Sequence, residues 1–388
     1  MQDDVLEYYM AGGCVRDYLL GKTPEDMDVA FAGTDALLLQ CNPQARKIGT
    51  EGKHIFIVNG RECAPLDPAG PQADAMRRDF TINALLVDSK GMLHCHPESL
   101  DDLRAKRIHP ASSTAMQADP LRLFRAARLW ASLPSFHITD ECMAMMQATS
   151  EAMLKSIAPE RVGQEVLKAC ASKKPGNFLL AIAQSNSLLP WFRELEGAEN
   201  IPAGPAAFHS RSVLGHTARI MNDTAEIAQE NGHINPKDSI RTTAVWMAFC
   251  HDLGKTSTPE EEWPRHLGHE ARGITAANNL CQRLRLPSAQ GKAGRMAAEL
   301  HMKAGMYPTL RIATKVKLLV ALDQSHLLTP FFYMAAADSG DRSLPALAQK
   351  DLETIRKVHL PLKWQNKGPA SAIRLHELRC QALKAANR

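Results

Sequence analysis

The segment GGCVRDYLLGKTPEDMDVAF, residues 12–31, places two glycines before a helix-like stretch and two aspartates at the start of a short apolar run. The run MDVAF alternates as a strand does, so Asp26 and Asp28 are expected on one face of it. Two carboxylates so close repel each other unless a cation lies between them, and Mg²⁺ accepts carboxylate oxygens together with substrate phosphates. Gly12 and Gly13 offer backbone N–H groups at a helix N-terminus, where a triphosphate can bind. Each feature alone is typical of an ordinary turn, but together they favour phosphoryl or nucleotidyl transfer.

The composition is that of a globular protein with more than one domain. The chain has 388 residues, of which 45% are hydrophobic and 23% charged, and its formal net charge is +4. This mild positive charge permits a polyanionic partner without requiring one. The nine cysteines form no CxxC pair and are expected to be free thiols in a reducing compartment. The acidic N-terminus is unlike a signal peptide and the run AVWMAFC is too short to span a bilayer, so we expect a cytoplasmic protein with no membrane partner.

The pattern of elements changes along the chain. Residues 5–100 mix the strand-like runs VAFAG, HIFIV and ALLVD with helical stretches and Gly/Pro punctuation. From about residue 112 the strands are expected to disappear and long helical patterns follow, one of them opening at Pro159. The Pro/Gly/Ala-rich break ENIPAGPAAFHS at 199–210 predicts a boundary before a separate all-α domain.

Four motifs over residues 8–170 carry a resemblance to a known family: the opening segment, RRDFTINALLVD, DPLRLFRAARLWA and IAPERVGQEVLKA. The chain resembles the tRNA nucleotidyltransferase and bacterial poly(A) polymerase family, within the polymerase-beta-like superfamily. This resemblance implies that Asp26 and Asp28 are the catalytic residues and hold two Mg²⁺ ions, which activate the RNA 3′-hydroxyl and bind the α-phosphate.

The resemblance also assigns residues to the nucleotide. It implies that the triphosphate is surrounded by Gly12, Gly13, Arg16 and Asp17. In RRDFTIN it implies that Arg78, Asp79 and Asn83 check the ribose and help to hold the nucleotide. The alternative for this last group is an Arg–Asp ion pair that fixes a helix start, with Thr81 as a local cap.

A pair of side chains in DPLRLFRAARLWA is a candidate for choosing the base. Asp119 and Arg122, three residues apart, are predicted to be neighbours on one helix face, where they form either a surface ion pair or a base-reading pair. A carboxylate accepts and a guanidinium donates, so the pair matches the amino donor and ring-nitrogen acceptor of cytosine and adenine. Guanine and uracil present the opposite order, which is costly in a dry pocket. Family members usually carry Glu-Asp here, whereas this chain has Ala118 before Asp119.

Further positive charge follows this pair. Arg125 and Arg128, and then Lys173 and Lys174, are expected either to contact triphosphate or the tRNA backbone or to be solvated.

Beyond residue 210 the sequence places histidines and aspartates where metal ligands are expected. His251 and Asp252 end an apolar helical run, and a charge buried there is costly unless a metal or counter-charge compensates it. The motif HDLGK, with an earlier His and a later Asp, resembles the HD phosphohydrolase superfamily. This resemblance implies that Ni²⁺ or another divalent metal is bound by His216, His251, Asp252 and Asp338. It further implies that His269 or His301 contacts a phosphate of the substrate or a second metal ion.

Together the two resemblances point to bacterial class II tRNA nucleotidyltransferases with a C-terminal HD phosphohydrolase domain, the multifunctional CCA-adding enzymes. The implied fold is α+β: a polymerase-beta-like nucleotidyltransferase head at 1–110, an all-α neck or RNA-binding domain at 111–200, and an all-α HD domain at 201–388. The implied partners are the tRNA 3′ end, CTP and ATP, with a monomer or dimer as the assembly. The HD domain would add phosphatase, 2′,3′-cyclic phosphodiesterase or 2′-nucleotidase activity.

One region departs from the family. Between HIFIV and RRD, at about 59–76, we expect only a short loop with Glu62 and Asp67 as its acids, where comparable enzymes have a longer flexible one. A shortened loop keeps two alternatives open, CC addition alone or poly(A) tailing. An alternative of another class is an HD phosphohydrolase whose head binds RNA without catalysis.

Overall fold

The computed structural model describes residues 5–24, 26–50, 53–206, 211–235 and 238–386. The chain divides into two compact units. The first comprises Met1–Ala126 and Ser135–Met153, and the second comprises Ala127–Pro134 and Leu154–Arg388. The division into three domains with boundaries at 110 and 200 stays a prediction, and the last four residues of the break at 199–210 lie outside the described residues.

A mixed β-sheet forms the framework of the first unit. Within the described ranges it has seven strands, in the order β3-β4-β5-β2-β1-β6-β7, with β2 and β5 parallel and the other neighbours antiparallel. The strands are β1 (Glu7–Ala11), β2 (Val29–Ala32), β3 (Arg46–Thr50), β4 (Lys53–Val58), β5 (Arg61–Pro65), β6 (Leu85–Val87) and β7 (Leu93–Cys95). The three strands predicted from VAFAG, HIFIV and ALLVD are therefore confirmed as β2, β4 and β6.

Residues 59–76 are not a loop, and this prediction is wrong. Asn59 and Gly60 have φ values of 51° and 79°, the pair of positive angles that a two-residue type I′ hairpin turn requires. Val58 therefore pairs with Arg61, and β5 continues the sheet. The helix α3 (Pro71–Met76) follows, with Pro71 at its first position. Glu62 consequently lies in a strand rather than in a loop.

The sheet is covered on both faces, as the period of two along β2 requires. Ala30 packs in one apolar cluster, with Tyr9 and Leu86, whereas Phe31 packs in another, with Phe56. The Phe31 and Phe56 rings meet edge to face with centroids 5.8 Å apart. The helices whose residues all belong to the first unit are α1 (Gly13–Leu19), α2 (Asp35–Cys41), α3, α4 (Ser99–Ala105), α5 (Ala115–Ala118) and α7 (Asp140–Gln147).

A second, smaller strand pair corrects the expectation that strands end near residue 112. The strand β8 (Arg107–Ile108) pairs in parallel with β9 (His137–Ile138). Ile108 is fully buried and lies opposite Ile138, so the pairing joins an apolar position on each strand. Because each strand has only two residues, the alternating pattern was too short to read from the sequence.

The second unit is helical, and the predicted α+β class is confirmed. Its described helices include α9 (Pro159–Cys170), which begins at Pro159 as predicted, and α12 (Ser239–Cys250). The run Ala244–Cys250 is buried at every position, since α12 packs between α11, α14 and α16. The remaining helices are α6 (Arg122–Ser132), α8 (Glu151–Lys155), α10 (Gly176–Gln184), α11 (Val213–Glu230), α13 (His269–Arg283), α14 (Ser288–Gly305), α15 (Ile312–Gln324), α16 (Leu328–Ser339), α17 (Leu344–Arg356) and α18 (Pro369–Ala386).

Two further features concern the whole chain. All nine cysteines are free thiols, in keeping with the sequence pattern. In the part of the chain that the structure describes, no helix is both long and apolar enough to cross a membrane.

Candidate active sites

The glycine turn lies between a central strand and a helix of the first unit. β1 ends at Ala11, and Gly12, with φ 77°, turns the chain into α1. The Gly12 N–H donates to the Leu85 carbonyl at 2.8 Å, which fixes the turn on the neighbouring strand β6. A Cβ on Gly12 would lie 3.1 Å from Nη1 of Arg78. Gly12 is therefore required both by its backbone angle and by the approach of an arginine.

The two aspartates precede β2 instead of lying within it, so the prediction that both sit on one strand face is wrong. β2 begins at Val29, Asp26 lies in a bend, and both carboxylates are exposed. The Ala11 N–H donates to the Asp28 carbonyl at 3.0 Å, so Asp28 is held beside the end of β1. Beyond Ala11 the partner strand turns away at Gly12, and no backbone of β1 remains to extend the ladder to Asp26.

A cavity of about 150 Å³ opens beside the glycine turn. It is lined by Ala11, Asp28, Val29, Ile55, Glu62, Ala64 and Arg78. The lining includes two acidic residues, Asp28 and Glu62, and one basic residue, Arg78. Carboxylates facing one space bind hard cations, and a guanidinium binds phosphate, so the lining suits a nucleotide with its metal. Asp26 is not among the lining residues.

Glu62 is a residue that the sequence reasoning assigned to a loop. Its position follows from the parallel register, because Val29 of β2 lies opposite Cys63 of β5 and the preceding residues are Asp28 and Glu62. The signal that could have placed it is the dipeptide Asn59-Gly60, which predicts a hairpin between two strand-like runs.

Arg16 connects the triphosphate group of predicted residues with the RRDFTIN group. Its Nη1 donates to Oδ1 of Asn83 at 2.7 Å, and its Nε and Nη2 donate to Oδ1 of Asp17 at 2.9 and 2.8 Å. The structure thus brings three predicted residues together beside Gly13. A Cβ on Gly13 would lie 3.5 Å from Nη2 of Arg16.

The Arg–Asp pair expected within RRDFTIN is not formed. Asp79 pairs with Arg125, whose Nε and Nη2 both lie 2.6 Å from its Oδ2, while its Oδ1 accepts from the Phe80 N–H at 2.9 Å. Burial alone would raise the pKa of Asp79, but Arg125 and these hydrogen bonds hold the pKa below its usual value. Thr81 is not a local cap either, since its hydroxyl donates to the buried Asp102 at 2.6 Å.

Asp119 and Arg122 do not share a helix, and this prediction is wrong. α6 begins at Arg122, whereas Asp119 is extended, with φ −151° and ψ 103°. Pro120 explains the break, because the residue before a proline is driven out of the helical region. Oδ1 of Asp119 accepts from the Leu121 N–H at 3.1 Å, and Nη2 of Arg122 donates to the Arg77 carbonyl at 2.9 Å.

Three of the other predicted cations, Arg125, Arg128 and Lys174, have acidic partners. Arg125 binds Asp79 in the first unit. In the second unit, Nε of Arg128 lies 2.5 Å from Oε2 of the buried Glu165, and Nζ of Lys174 lies 3.5 Å from Glu226. A contact of these side chains with triphosphate or tRNA stays a prediction.

All six metal-ligand candidates of the second unit converge on one centre. They come from α11, from the turn after α12, from the start of α13, from α14 and from α16, in the order His216, His251 with Asp252, His269, His301 and Asp338. Every one except Asp338 is at least nine-tenths buried, and the Asp338 side chain is 19% exposed.

Asp252 is the shared member of the cluster. Its Oδ2 lies 3.2 Å from Nε2 of His251 and 3.4 Å from Nε2 of His216. Its Oδ1 lies 3.4 Å from Nε2 of His301 and 3.6 Å from Nε2 of His269. The two groups that could hold a cation, His216–His251–Asp252 and Asp252–His269–His301, therefore have one carboxylate in common. Oδ1 of Asp252 is buried and accepts no hydrogen bond from the described residues.

The histidine rings are fixed by backbone carbonyls. Nδ1 of His251 lies 2.7 Å from the Ala248 carbonyl, and Nδ1 of His269 lies 2.9 Å from the His266 carbonyl. Nδ1 of His301 lies 3.1 Å from the carbonyls of Ala297 and Ala298. Since a carbonyl only accepts, each Nδ1 carries a proton, and Nε2 is the ring nitrogen that faces the centre.

The Nε2 atoms of these three rings and of His216 lie in close pairs. Nε2 of His269 lies 3.1 Å from Nε2 of His301, and Nε2 of His251 lies 3.3 Å from Nε2 of His216. Two acceptors at this separation repel unless a proton or a cation lies between them. Together with the unpaired oxygen of Asp252, the donor set fits divalent cations bound by imidazole and carboxylate.

The electrostatics of the centre follow from burial opposed by charge pairing. Burial lowers the pKa of His216 and of His269, which favours the neutral rings that bind metal. Burial would raise the pKa of Asp252, but His251 and Lys255 hold it well below its usual value. Nζ of Lys255 lies 2.7 Å from Oδ2 of Asp252 and donates to the Ala203 carbonyl at 2.7 Å. Asp252 therefore remains an anion in the buried centre.

The chain is similar to known proteins in sequence and in fold. Residues 8–66 match the model of the poly A polymerase head domain, and residues 213–338 match that of the HD domain. Among solved structures, the chain is similar to the Thermotoga maritima CCA-adding enzyme complexed with tRNA, at 18% identity and a TM-score of 0.64 over 99% of this chain and 88% of that one. This chain has the fold of the CCA-adding enzymes.

Two other solved structures agree. A CCA-adding enzyme with ATP is 17% identical, with a TM-score of 0.64 over 97% of this chain and 87% of that one. A tRNA-processing enzyme with CTP is 20% identical, with a TM-score of 0.62 over 97% of each chain. Within the CCA-adding enzyme fold, the head match contains the Gly12 turn and both aspartates, and the HD match contains all six metal-ligand candidates.

Gly254, the glycine of the HDLGK turn, packs directly against the backbone of α13. A Cβ on Gly254 would lie 1.9 Å from the His269 carbonyl, so Gly254→Ala must force the turn away from α13. We expect a loss of about 2 kcal/mol in the free energy of unfolding, measured by urea denaturation, because such overpacking strains the backbone. Gly305→Ala is the control, since its Cβ would meet nothing closer than 3.9 Å. Equal stability of the two variants would contradict the close approach.

The Asp79–Arg125 pair predicts a pH dependence of stability. Because the folded-state pKa of Asp79 is lowered, its contribution is present above the unfolded pKa of about 3.9 and is lost as the pH falls through the folded value. We expect Asp79→Asn to cost about 2 kcal/mol at pH 7 and less at pH 3, as measured by urea denaturation. Asp101→Asn, which removes an exposed pair with Arg104, should cost little at either pH. A cost for Asp79→Asn that does not shrink at pH 3 would rule out this charge linkage.

Proposed function

We propose that the chain is a tRNA nucleotidyltransferase that adds C, C and A to the tRNA 3′ end from CTP and ATP. The observation that carries the proposal is the cavity beside the Gly12 turn, where Asp28, Glu62 and Arg78 meet in a chain with the fold of the CCA-adding enzymes. Of the solved structures named above, one contains tRNA, one contains ATP and one contains CTP. The acidic and basic residues of the cavity suit a nucleotide with its metal ion.

The predicted residues of the first unit would have different roles in nucleotidyl transfer. Mg²⁺ held by Asp26 and Asp28 would make the RNA 3′-hydroxyl more acidic and offset charge at the α-phosphate. The Gly12 and Gly13 backbone and Arg16 would bind the triphosphate, and Arg78 would offer the guanidinium that faces the cavity. Asp17 and Asn83 would orient Arg16, and Asp79 would orient Arg125.

Selection of the base is assigned to Asp119 and Arg122. Oδ1 of Asp119 accepts the Leu121 N–H, and the carboxylate would also accept from the amino group of cytosine or adenine. Arg122 would donate to the adjoining ring nitrogen. With guanine or uracil the carboxylate would face a carbonyl and the guanidinium a ring N–H, and these like partners would oppose binding.

We further propose that the second unit is a metal-dependent phosphohydrolase. Its cations would make a water more acidic and would polarise a phosphoester. His216, His251, Asp252 and Asp338 would hold one ion, while His269 and His301 would share Asp252 to hold a second ion or to bind phosphate. A phosphomonoester, a 2′,3′-cyclic phosphodiester and a 2′-nucleotide all present the phosphoryl group that this centre needs.

One incubation tests the first proposal. We expect tRNA that ends at the discriminator base to grow by three nucleotides with CTP and ATP, as sized on a sequencing gel. Growth by two nucleotides would select CC addition, the alternative that the short segment 59–76 keeps open. A long ladder with ATP would select poly(A) tailing. No growth, with phosphodiester hydrolysis retained, would leave the HD phosphohydrolase with a non-catalytic RNA-binding head.

A pair of variants tests whether the two chemistries use separate sites. Asp28→Asn should lower nucleotide addition on the order of a thousandfold, because it removes a metal-binding charge, and should leave phosphoester hydrolysis unchanged. His251→Ala should abolish hydrolysis and leave nucleotide addition unchanged. If either change silences both reactions in a folded protein, the two-site proposal fails.

The metal content of the second unit gives a separate test. After the protein is loaded with Ni²⁺ or Mn²⁺ and desalted, we expect two ions per chain in the second-unit centre, as measured by inductively coupled plasma mass spectrometry. His301→Ala should retain one, because the other group of ligands is intact. His233→Ala is the control, since His233 pairs with Asp238 outside the cluster. A His301→Ala protein that keeps both ions would contradict the shared-carboxylate arrangement.

A further inference from the structure

Asp74, a residue to which the sequence reasoning gave no role, sits buried between two arginines of the first unit. It belongs to α3 and is 2% exposed, and each of its oxygens has its own set of donors. Oδ1 accepts from the Asp67 N–H at 3.2 Å and from Nη2 of Arg77. Oδ2 accepts from Arg78. A buried carboxylate with four N–H donors is a fixed anchor rather than a solvated charge.

The two edges of the Arg78 guanidinium have different neighbours. Its Nε and Nη2 lie 3.0 and 2.9 Å from Oδ2 of Asp74. Its remaining nitrogen, Nη1, is the atom that a Cβ on Gly12 would meet at 3.1 Å. Asp74 therefore binds one edge of the guanidinium and directs the other toward the glycine turn. Because Asp74 is not among the cavity-lining residues, it reaches the cavity through Arg78.

The same carboxylate is linked to a second candidate nucleotide-binding arginine. Arg77, which pairs with Oδ1 of Asp74, offers its carbonyl to Nη2 of Arg122 at 2.9 Å. Through Asp67, Asp74 also holds the turn that precedes α3. The segment 59–76 is thus joined to the two arginines that we assign to the triphosphate and the base.

We propose that Asp74 is a positioning residue for nucleotide binding, which presets Arg78 at the Gly12 turn. This inference rests on the proposed nucleotidyltransferase function. A free arginine side chain populates many rotamers, and holding one of them beforehand removes that ordering cost from nucleotide binding. The contact between Asp74 and Arg78 involves no reacting atom of nucleotidyl transfer, so its loss should weaken binding without slowing the chemical step.

The experiment compares Asp74→Asn with a matched substitution. Asn preserves the shape of Asp74 but is neutral and offers one acceptor oxygen where the carboxylate offers two. Both arginines therefore lose their charged partner, and one of them faces an NH₂ donor. We expect the KM for CTP and the Kd of CTP, measured by calorimetry, to rise roughly tenfold, with kcat within about threefold of the wild type. Asp101→Asn, the same substitution at an exposed i,i+3 pair with Arg104, should change neither constant.

A double-mutant cycle separates positioning from general support of the fold. If Asp74 acts through Arg78, Asp74→Asn should add almost nothing to the CTP affinity loss of Arg78→Ala, since the shared interaction is already gone. Additive losses, or an unchanged Kd for Asp74→Asn alone, would overturn the inference. Should Asp74→Asn fail to fold, Asp74→Glu, which keeps the charge but displaces it, must give the same rise in Kd.

CTP binding and nucleotide addition by the wild-type chain distinguish a failure of the inference about Asp74 from a failure of the proposed function. A wild-type chain that binds CTP but adds no nucleotide would sink the proposed function, and the binding cycle would still decide the role of Asp74. A wild-type chain that adds nucleotides with an unaffected Asp74→Asn variant would sink only the inference. A wild-type chain that binds no CTP would overturn both.

Discussion

A carboxylate removed from water must find compensating donors or cations, and this constraint shapes both candidate sites. In the second unit Asp252 is 1% exposed, and Lys255 with one group of histidine nitrogens faces its Oδ2. The other oxygen has imidazole nitrogens at 3.4 and 3.6 Å but accepts no hydrogen bond from the described part of the chain. Compensation is therefore complete on one side of the carboxylate and incomplete on the other, which is where a second cation would be most stabilised.

The first unit meets the same constraint with arginine instead of histidine. Asp74 and Asp79 are both buried, and they hold Arg78 and Arg125. A guanidinium stays charged at every physiological pH and has enough donors to bind a carboxylate with one edge and an anion with the other. The buried aspartates can therefore orient these guanidinium groups, which under the proposed function would face a phosphate. Asp102, which accepts from Thr81 and Arg107, fixes the Thr81–Asn83 turn in the same way.

The sequence predicted those features whose cause is local. The strands β2, β4 and β6 follow from their apolar runs, and α9 begins at Pro159 because proline suits the first turn of a helix. The six metal-ligand candidates were found through motif resemblance, and the fold then brought them together from five separate places in the chain. Their mutual distances could not be read from spacing, because they depend on how α11, α13, α14 and α16 pack around α12.

Two of the errors have local causes, and a third depends on a partner strand. Pro120 separates Asp119 from α6, and the prediction, which rested on the three-residue separation of Asp119 and Arg122, did not take the proline into account. The turn Asn59-Gly60 converts an expected loop into a hairpin, which carries Glu62 to the cavity. Asp26 and Asp28 fall outside β2 since β1 turns away at Gly12. That limit depends on a partner strand, and a strand read by itself does not reveal where its partner ends.

The histidines of the second unit show how helix ends can select a metal-binding atom. His251 follows the last residue of α12, His269 is the first residue of α13, and His301 lies near the end of α14. Each hydrogen-bonds through Nδ1 to the carbonyl three residues earlier, that of Ala248, His266 or Ala298. The Ala248 carbonyl lies in the last turn of α12, where carbonyls lack an intrahelical partner. The carbonyls of His266 and Ala298 accept through the second lone pair that every carbonyl oxygen has. One local bond thus fixes both the tautomer and the ring orientation, and Nε2 becomes the only ring atom able to face the centre. The metal-binding character of this unit is therefore set by three backbone carbonyls as much as by the histidines themselves.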